Sequence, residues 1–240
     1  MCAATQVVTQ EYSDQDYWNE RYSKASTSFE WYQRYDSLKH IITPLIPKDA
    51  NVLQIGVGNS RLQDDMVLDG YSSITSIDFS QVVIEQMQQD HQQQQLQYAV
   101  ADARSMPQYA DSSFGAVLDK GTMDAMACGE NAAVDIHAML LESSRLLQPG
   151  GMFVGISYGS PISRLPCCLN GDFDWEPVVY TIDRPDSTSP VASPFVAPKP
   201  VRISGPYRPR EAFKLLEEDS DSLHYVYVCR KHNHPAADKQ

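Results

Sequence analysis

The chain has 240 residues, 42% of them hydrophobic and 21% charged, which is enough apolar material for one ordinary packed domain and excludes wholesale disorder. Its 31 acidic and 19 basic side chains give a formal charge of -12, so nucleic acid is not expected as a partner, and a basic protein surface or a cationic small molecule suits the field better. No apolar run reaches the roughly 18 residues of a membrane helix and no basic, apolar leader opens the chain, so no membrane association and a cytosolic location are expected.

Residues 1–35 form an amino-terminal segment rich in Tyr and Trp. From residue 51 onward, short β-rich apolar runs alternate with helical stretches, the pattern of βαβ units and a parallel sheet. Five runs predict strands: Asn51 to Ile55, Ser73 to Ile77, Leu96 to Val100, Phe114 to Leu118 and Met152 to Ser157. Between them, Ser60 to Asp69 and Ser80 to about Gln92 read as helices whose leading serines can cap the first turn. Asn131 to Leu147 reads as another, with Ile136, Met139, Leu140, Leu146 and Leu147 on one face. Gln148-Pro149-Gly150-Gly151 is expected to end it and lead into the fifth strand.

Two further strands are expected at Val178 to Ile182 and Leu223 to Cys229. The segment between them carries Pro185, Pro190, Pro194, Pro198, Pro200, Pro206 and Pro209, which predicts a proline-rich insertion over 184–222 outside sheet and helix. A short helix near Glu211 to Glu217 is expected within it. The glutamine cluster from Gln86 to Gln97 reads as the solvated end of a helix, and residues 231–240 as a polar tail. The fold class is α/β: a single domain, 1–240, with a doubly wound, mostly parallel sheet. Cys2, Cys128, Cys167, Cys168 and Cys229 have no zinc spacing and no His partner, so they read as structural thiols. His224, His232 and His234 read as solvated, and no metal is expected.

Chemistry gathers at the predicted strand ends. Gly56-Val57-Gly58-Asn59-Ser60 puts two glycines where the first strand meets the first helix, so that a ligand can approach the backbone. The position of a third glycine in a dinucleotide fingerprint is Arg61, which argues against a nicotinamide cofactor. Asp78, at the end of the second strand, can accept hydrogen bonds from both hydroxyls of a ribose. Asp102, at the end of the third, can accept from an adenine amino group, with Phe79 and Ala103 flanking the ring. The fourth strand adds Asp119-Lys120-Gly121-Thr122-Met123-Asp124 to the same rim.

These residues resemble the class I S-adenosylmethionine-dependent methyltransferases. The stretches Asp16-Tyr17-Trp18-Asn19-Glu20-Arg21-Tyr22 with Glu30-Trp31-Tyr32, Gly56-Val57-Gly58-Asn59-Ser60, and Asp119-Lys120-Gly121-Thr122-Met123-Asp124 are similar to the elongation factor 1-alpha lysine and citrate synthase lysine methyltransferases. The resemblance covers about residues 14–183 and resumes near 223. It implies a Rossmann-like methyltransferase sheet of seven strands, the last antiparallel, and S-adenosylmethionine as cofactor. It also implies cofactor contacts from Trp18, Tyr22, Trp31, Gly56, Gly58, Asn59, Asp78, Phe79, Asp102, Ala103 and Lys120. Val57 and Asp119 stand where the family often has cysteine and glutamate.

A sulfonium cation favours the electron-rich faces of Trp and Tyr, so the amino-terminal segment is expected to close over the cofactor as a lid. The reaction expected is in-line methyl transfer to a desolvated lysine amine of a protein partner, with Asp119 orienting the acceptor. A small-molecule N- or O-methyltransferase and a catalytically silent S-adenosylmethionine-binding module remain open alternatives.

Overall fold

The computed structural model describes residues 12–90, 94–185, 202–216 and 222–233. Two helices, α1 (Gln15–Lys24) and α2 (Tyr35–Leu45), precede the first strand, β1 (Asn51–Ile55). Then come α3 (Leu62–Leu68), β2 (Ser73–Asp78), α4 (Gln81–Asp90), β3 (Leu96–Val100), β4 (Phe114–Lys120), α5 (Thr122–Met126), α6 (Ala132–Leu146) and β5 (Leu147–Ser157). The chain continues through α7 (Pro161–Cys168), β6 (Trp175–Asp183), β7 (Ile203–Tyr207), α8 (Pro209–Ala212), a 3-10 turn over Phe213–Leu216, and β8 (Leu223–Lys231).

The strands form one sheet in the order β3-β2-β1-β4-β5-β8-β6-β7. From β3 to β5 every pairing is parallel, and β8 runs antiparallel between β5 and β6. Both faces are covered, so side chains bury alternately to each side of the strands. Val52, Ala116, Leu118, Val154 and Ile156 meet α2, α3 and α4 on one face. Leu53, Ile55, Val117 and Phe153 meet α6 and α7 on the other. The chain winds outward from β1 to β3, then returns to place β4 on the other side of β1. That reversal opens a crevice beyond the carboxyl ends of β1 and β4.

Local chemistry explains the element starts. Ser60 Oγ accepts the Leu62 N–H at 3.1 Å and Ser80 Oγ accepts the Val83 N–H at 3.4 Å, the capping expected of those serines. Three expectations need correction. The Gln148-Pro149-Gly150-Gly151 stretch lies within β5, where Gly150 takes φ +77°. Among the described residues the sheet has eight strands, because β7 forms inside the proline-rich insertion and pairs antiparallel with β6. Proline is tolerated there because β7 is the sheet edge, where a missing N–H breaks no ladder, and Pro209 stands at the first turn of α8, where no partner is needed. Pro190, Pro194, Pro198 and Pro200 lie outside the described residues.

Candidate active site

The crevice holds a cavity of about 320 Å³, large enough for a nucleoside-sized ligand. Its wall includes Trp18, Tyr22, Trp31, Gly56, Gly58, Asn59, Asp78, Phe79, Asp102, Ala103 and Lys120. Strand ends, the glycine turn and the amino-terminal segment therefore converge on one space.

Gly56 and Gly58 take φ +57° and +52°, the left-handed region that side chains resist. A Cβ on Gly56 would sit 1.9 Å from Thr122 Oγ1, and one on Gly58 would sit 2.7 Å from the Tyr22 hydroxyl. The two glycines thus admit protein side chains as well as the turn itself. Asp78 is anchored by that turn: its carboxylate accepts the Gly58 and Ser80 N–H groups, each at 2.9 Å. Burial nevertheless pushes its pKa up to about 6, the backbone hydrogen bonds opposing. Asp102 is held differently. Burial works against its charge, but the Arg104 guanidinium on both oxygens outweighs this and keeps the carboxyl below its usual range.

The amino-terminal segment packs down rather than standing open. Trp18 and Tyr22 are buried and stack at 5.5 Å, and α1 is tied to α4 by Ser80 Oγ donating to Asn19 and Gln86 donating to the Tyr22 carbonyl. Asn59 Nδ2 donates to the Thr27 carbonyl at 2.9 Å. Glu30 is the hub of this cover: it accepts from Ser60 Oγ, from the Arg61 N–H and from Lys120 Nζ. The Lys120 side chain is only 4% exposed. Burial pulls its pKa down, with Glu30 opposing.

Asp119 does not reach the cavity. It is 0% exposed, and its oxygens accept the N–H groups of Thr122 at 2.8 Å and Met123 at 3.1 Å. The first turn of α5 follows Gly121 at φ +93° and has no side-chain cap from that glycine, so Asp119 supplies the missing acceptor. Burial raises its pKa to about 7. The expectation that it orients the acceptor is corrected accordingly.

Of the two acids in that motif, the one that lines the cavity is Asp124, whose oxygens accept from Ser157 Oγ (2.6 Å), Arg164 Nε (2.8 Å), the Tyr32 hydroxyl (2.8 Å) and the Tyr158 N–H (2.8 Å). Sequence reading passed over Glu30, Tyr32 and Asp124 although each lies in a stretch singled out. The signal available was the acid in the first turn after Gly121. His224 also differs from expectation: it is buried in β8, 3.1 Å from Gln33 Nε2, and desolvation lowers its pKa to about 4. His232 pairs with Asp174, and His234 lies outside the described residues. Cys128, Cys167, Cys168 and Cys229 are free thiols, and Cys2 lies outside the described residues.

A glycine turn and an acid at the next strand end, on an open sheet without a third glycine, define a Rossmann-like nucleoside site rather than a dinucleotide site. Residues 53–155 match a family described as a methyltransferase domain. The chain is 32% identical over 176 residues to EEF1A lysine methyltransferase 4 of Mus musculus, covering 69% of each chain. It is 36% identical over 154 residues to the eEF1A lysine and N-terminal methyltransferase of Homo sapiens, covering 62% of this chain and 22% of that protein. Among solved structures, phosphoethanolamine N-methyltransferase 1 of Haemonchus contortus shares the fold at 14% identity and a TM-score of 0.58, covering 96% of this chain and 50% of that one. The chain belongs to the class I S-adenosylmethionine-dependent methyltransferases, in the group of the eEF1A lysine methyltransferases.

Proposed function

We propose that this chain transfers a methyl group from S-adenosylmethionine to a lysine amine of a protein, with eEF1A, named in its relatives, as the first substrate to test. The observation that carries the reading is the convergence of the glycine turn, Asp78 and the aromatic cover on one cavity. The chain's own atoms fit the cofactor. Gln54 Oε1 is buried and has no hydrogen-bond partner among the described residues, and Gln54 lines the same cavity, so the wall holds an acceptor awaiting a donor.

When bound, S-adenosylmethionine supplies an electrophilic methyl group on a sulfonium centre. Asp78 would accept from the ribose hydroxyls, Phe79 and Ala103 would flank the adenine, and Asp102, held by Arg104, would accept from its amino group. Lys120 would offer a buried ammonium to the amino-acid carboxylate. Trp18, Tyr22 and Trp31 line the cavity with aromatic surface that would favour a sulfonium, the Arg21 guanidinium lying 5.8 and 5.4 Å over the Trp18 and Trp31 rings, and Asn59 and Glu30 hold the cover that would exclude water. For the acceptor, the obstacle is protonation: at neutral pH a lysine amine of ordinary pKa costs about 4–5 kcal/mol to present without its proton. Desolvation under the cover offsets part of that.

The test is incubation with radiolabelled S-adenosylmethionine, first with purified eEF1A and then with cytosolic extract, beside Asp78→Ala. A labelled protein that the variant fails to label is the expected result. Label appearing only in small metabolites would refute the protein acceptor.

A further inference from the structure

We infer that the Tyr32 hydroxyl, fixed by Asp124, is the group that receives the acceptor amine. The inference rests on the lysine reading above and names the residue that orients the acceptor. The cavity has two sides. Asp78 and Asp102 stand at the ends of β2 and β3, whereas Tyr32, Asp124, Tyr158 and Arg164 line it beside β4 and β5. The first side carries the nucleoside, so the second is left for the acceptor.

A bare carboxylate on that second side would hinder the reaction, because it would stabilise the ammonium form of lysine. Asp124 is not bare. A carboxylate has about four lone-pair positions, and here four donors approach it from Ser157, Arg164, Tyr32 and Tyr158. The Arg164 guanidinium also compensates its charge. What Asp124 leaves in the cavity is an oriented phenol. Tyr32 donates its only hydroxyl proton to Asp124, and among the described residues nothing donates to the phenol oxygen. Burial and the neighbouring Asp124 push the Tyr32 pKa up, so the phenol stays neutral.

The backbone is specialised to deliver this ring. Tyr32 takes φ +62°, a costly conformation for a bulky residue that persists only where its surroundings impose it. The flanking contacts do so: Glu30 and the Trp31 carbonyl are held by Lys120, and the Tyr32 ring lies against Gly121, where a Cβ would come within 3.3 Å. At the rim, Tyr158 is 51% exposed, with the Arg184 guanidinium 4.0 Å over its ring. A neutral phenol oxygen can accept an N–H of the amine while favouring its protonated form far less than a bare carboxylate would, and it leaves the nitrogen lone pair for the reaction. That lone pair forms the N–C bond as the C–S bond breaks, the electron pair staying on sulfur. The one proton released is the one that the lysine ammonium gives up to water before the attack, and the product leaves as the methylammonium, which keeps its protons at neutral pH.

The experiment compares wild type, Tyr32→Phe and Asp124→Asn by steady-state methylation of purified eEF1A, or of the extract protein that wild type labels. S-adenosylhomocysteine affinity is measured in parallel by calorimetry. Tyr32→Phe is expected to lower kcat 10- to 100-fold while changing the S-adenosylhomocysteine Kd less than twofold. Asp124→Asn, a positioning change, is expected to lower kcat and also to move the pH midpoint of kcat/KM downward, because the Arg164 charge is no longer compensated. A Tyr32→Phe enzyme with wild-type kcat overturns the inference. So does a loss of kcat matched by an equal loss of cofactor affinity, which would make Tyr32 part of the cofactor cover alone. Wild type that labels no protein overturns the lysine reading instead.

Discussion

Replacing Asp78 by Asn separates what this side chain does for the fold from what it does for the cofactor. Burial has raised its pKa from 3.8 to about 6, so keeping it ionised at neutral pH costs the empty protein about 3 kcal/mol. Asn removes that cost. It also replaces one of the two oxygens that accept the Gly58 and Ser80 N–H groups, and one stranded buried amide costs about 1–3 kcal/mol. The two effects nearly cancel, so Asp78→Asn should melt close to wild type or slightly higher. Cofactor binding has no such compensation. Losing one charge-assisted hydrogen bond to the ribose, about 1.5–3 kcal/mol, weakens binding roughly 10- to 150-fold. Calorimetry with S-adenosylhomocysteine at pH 7.5, beside urea denaturation of the empty protein, measures both quantities. An Asp78→Asn variant that binds within threefold of wild type would refute the ribose assignment. One that loses binding only because it unfolds would refute the energy balance.

The same carboxylate predicts a pH dependence. Ribose hydroxyls stabilise its ionised form, so S-adenosylhomocysteine affinity should be flat above about pH 7 and fall toward tenfold per unit below about pH 6; Asp78→Asn should flatten that profile. Glu30→Gln leaves the buried Lys120 ammonium poorly paired, at about 3–5 kcal/mol of stability in the empty protein. If Lys120 meets the cofactor's carboxylate, S-adenosylhomocysteine should raise the Tm of Glu30→Gln more than that of wild type, and equal gains would count against that contact. His224 has a folded pKa of about 4, below its ordinary value. Its contribution is therefore full above pH 6.5 and is lost as pH falls toward 4, on the order of 1–2 kcal/mol by pH 5. His224→Gln should lessen that acid sensitivity in denaturation curves at pH 8 and pH 5.

Much of this architecture is written in local periodicity. The strands from β1 to β4 start where the apolar runs start, because β1, β2 and β4 are buried along nearly their whole length and β3 buries alternate residues. The site was legible where one residue type has few uses at its position: glycines at a strand end, acids at the next two, aromatics in a segment otherwise polar. What sequence did not convey were partners distant in the chain. Asp119 and Asp124 are alike by composition and lie in one short motif, yet Asp119 turns inward to cap α5 while Asp124 faces the cavity. Nothing local distinguishes them, since the donors on Asp124 come from Tyr32, Ser157, Tyr158 and Arg164. His224 escaped for the same reason: Tyr32, Gln33 and Tyr158, which pack against it, lie far upstream. The prolines misled because a rule about sheet interiors was applied to a strand that turned out to be an edge.

That edge has a consequence for how the protein behaves in a crowded solution. A terminal strand with every amide free is a template on which another chain can build, which is how sheet proteins begin to aggregate. Among the described residues β7 closes one side of the sheet, and Pro206, exposed near its end, has no amide to offer. The strand is also short, at five residues. Pro206→Val would restore a donor on a longer run of β-forming side chains, turning a blunt border into an adhesive one while leaving the cavity on the opposite half of the sheet untouched.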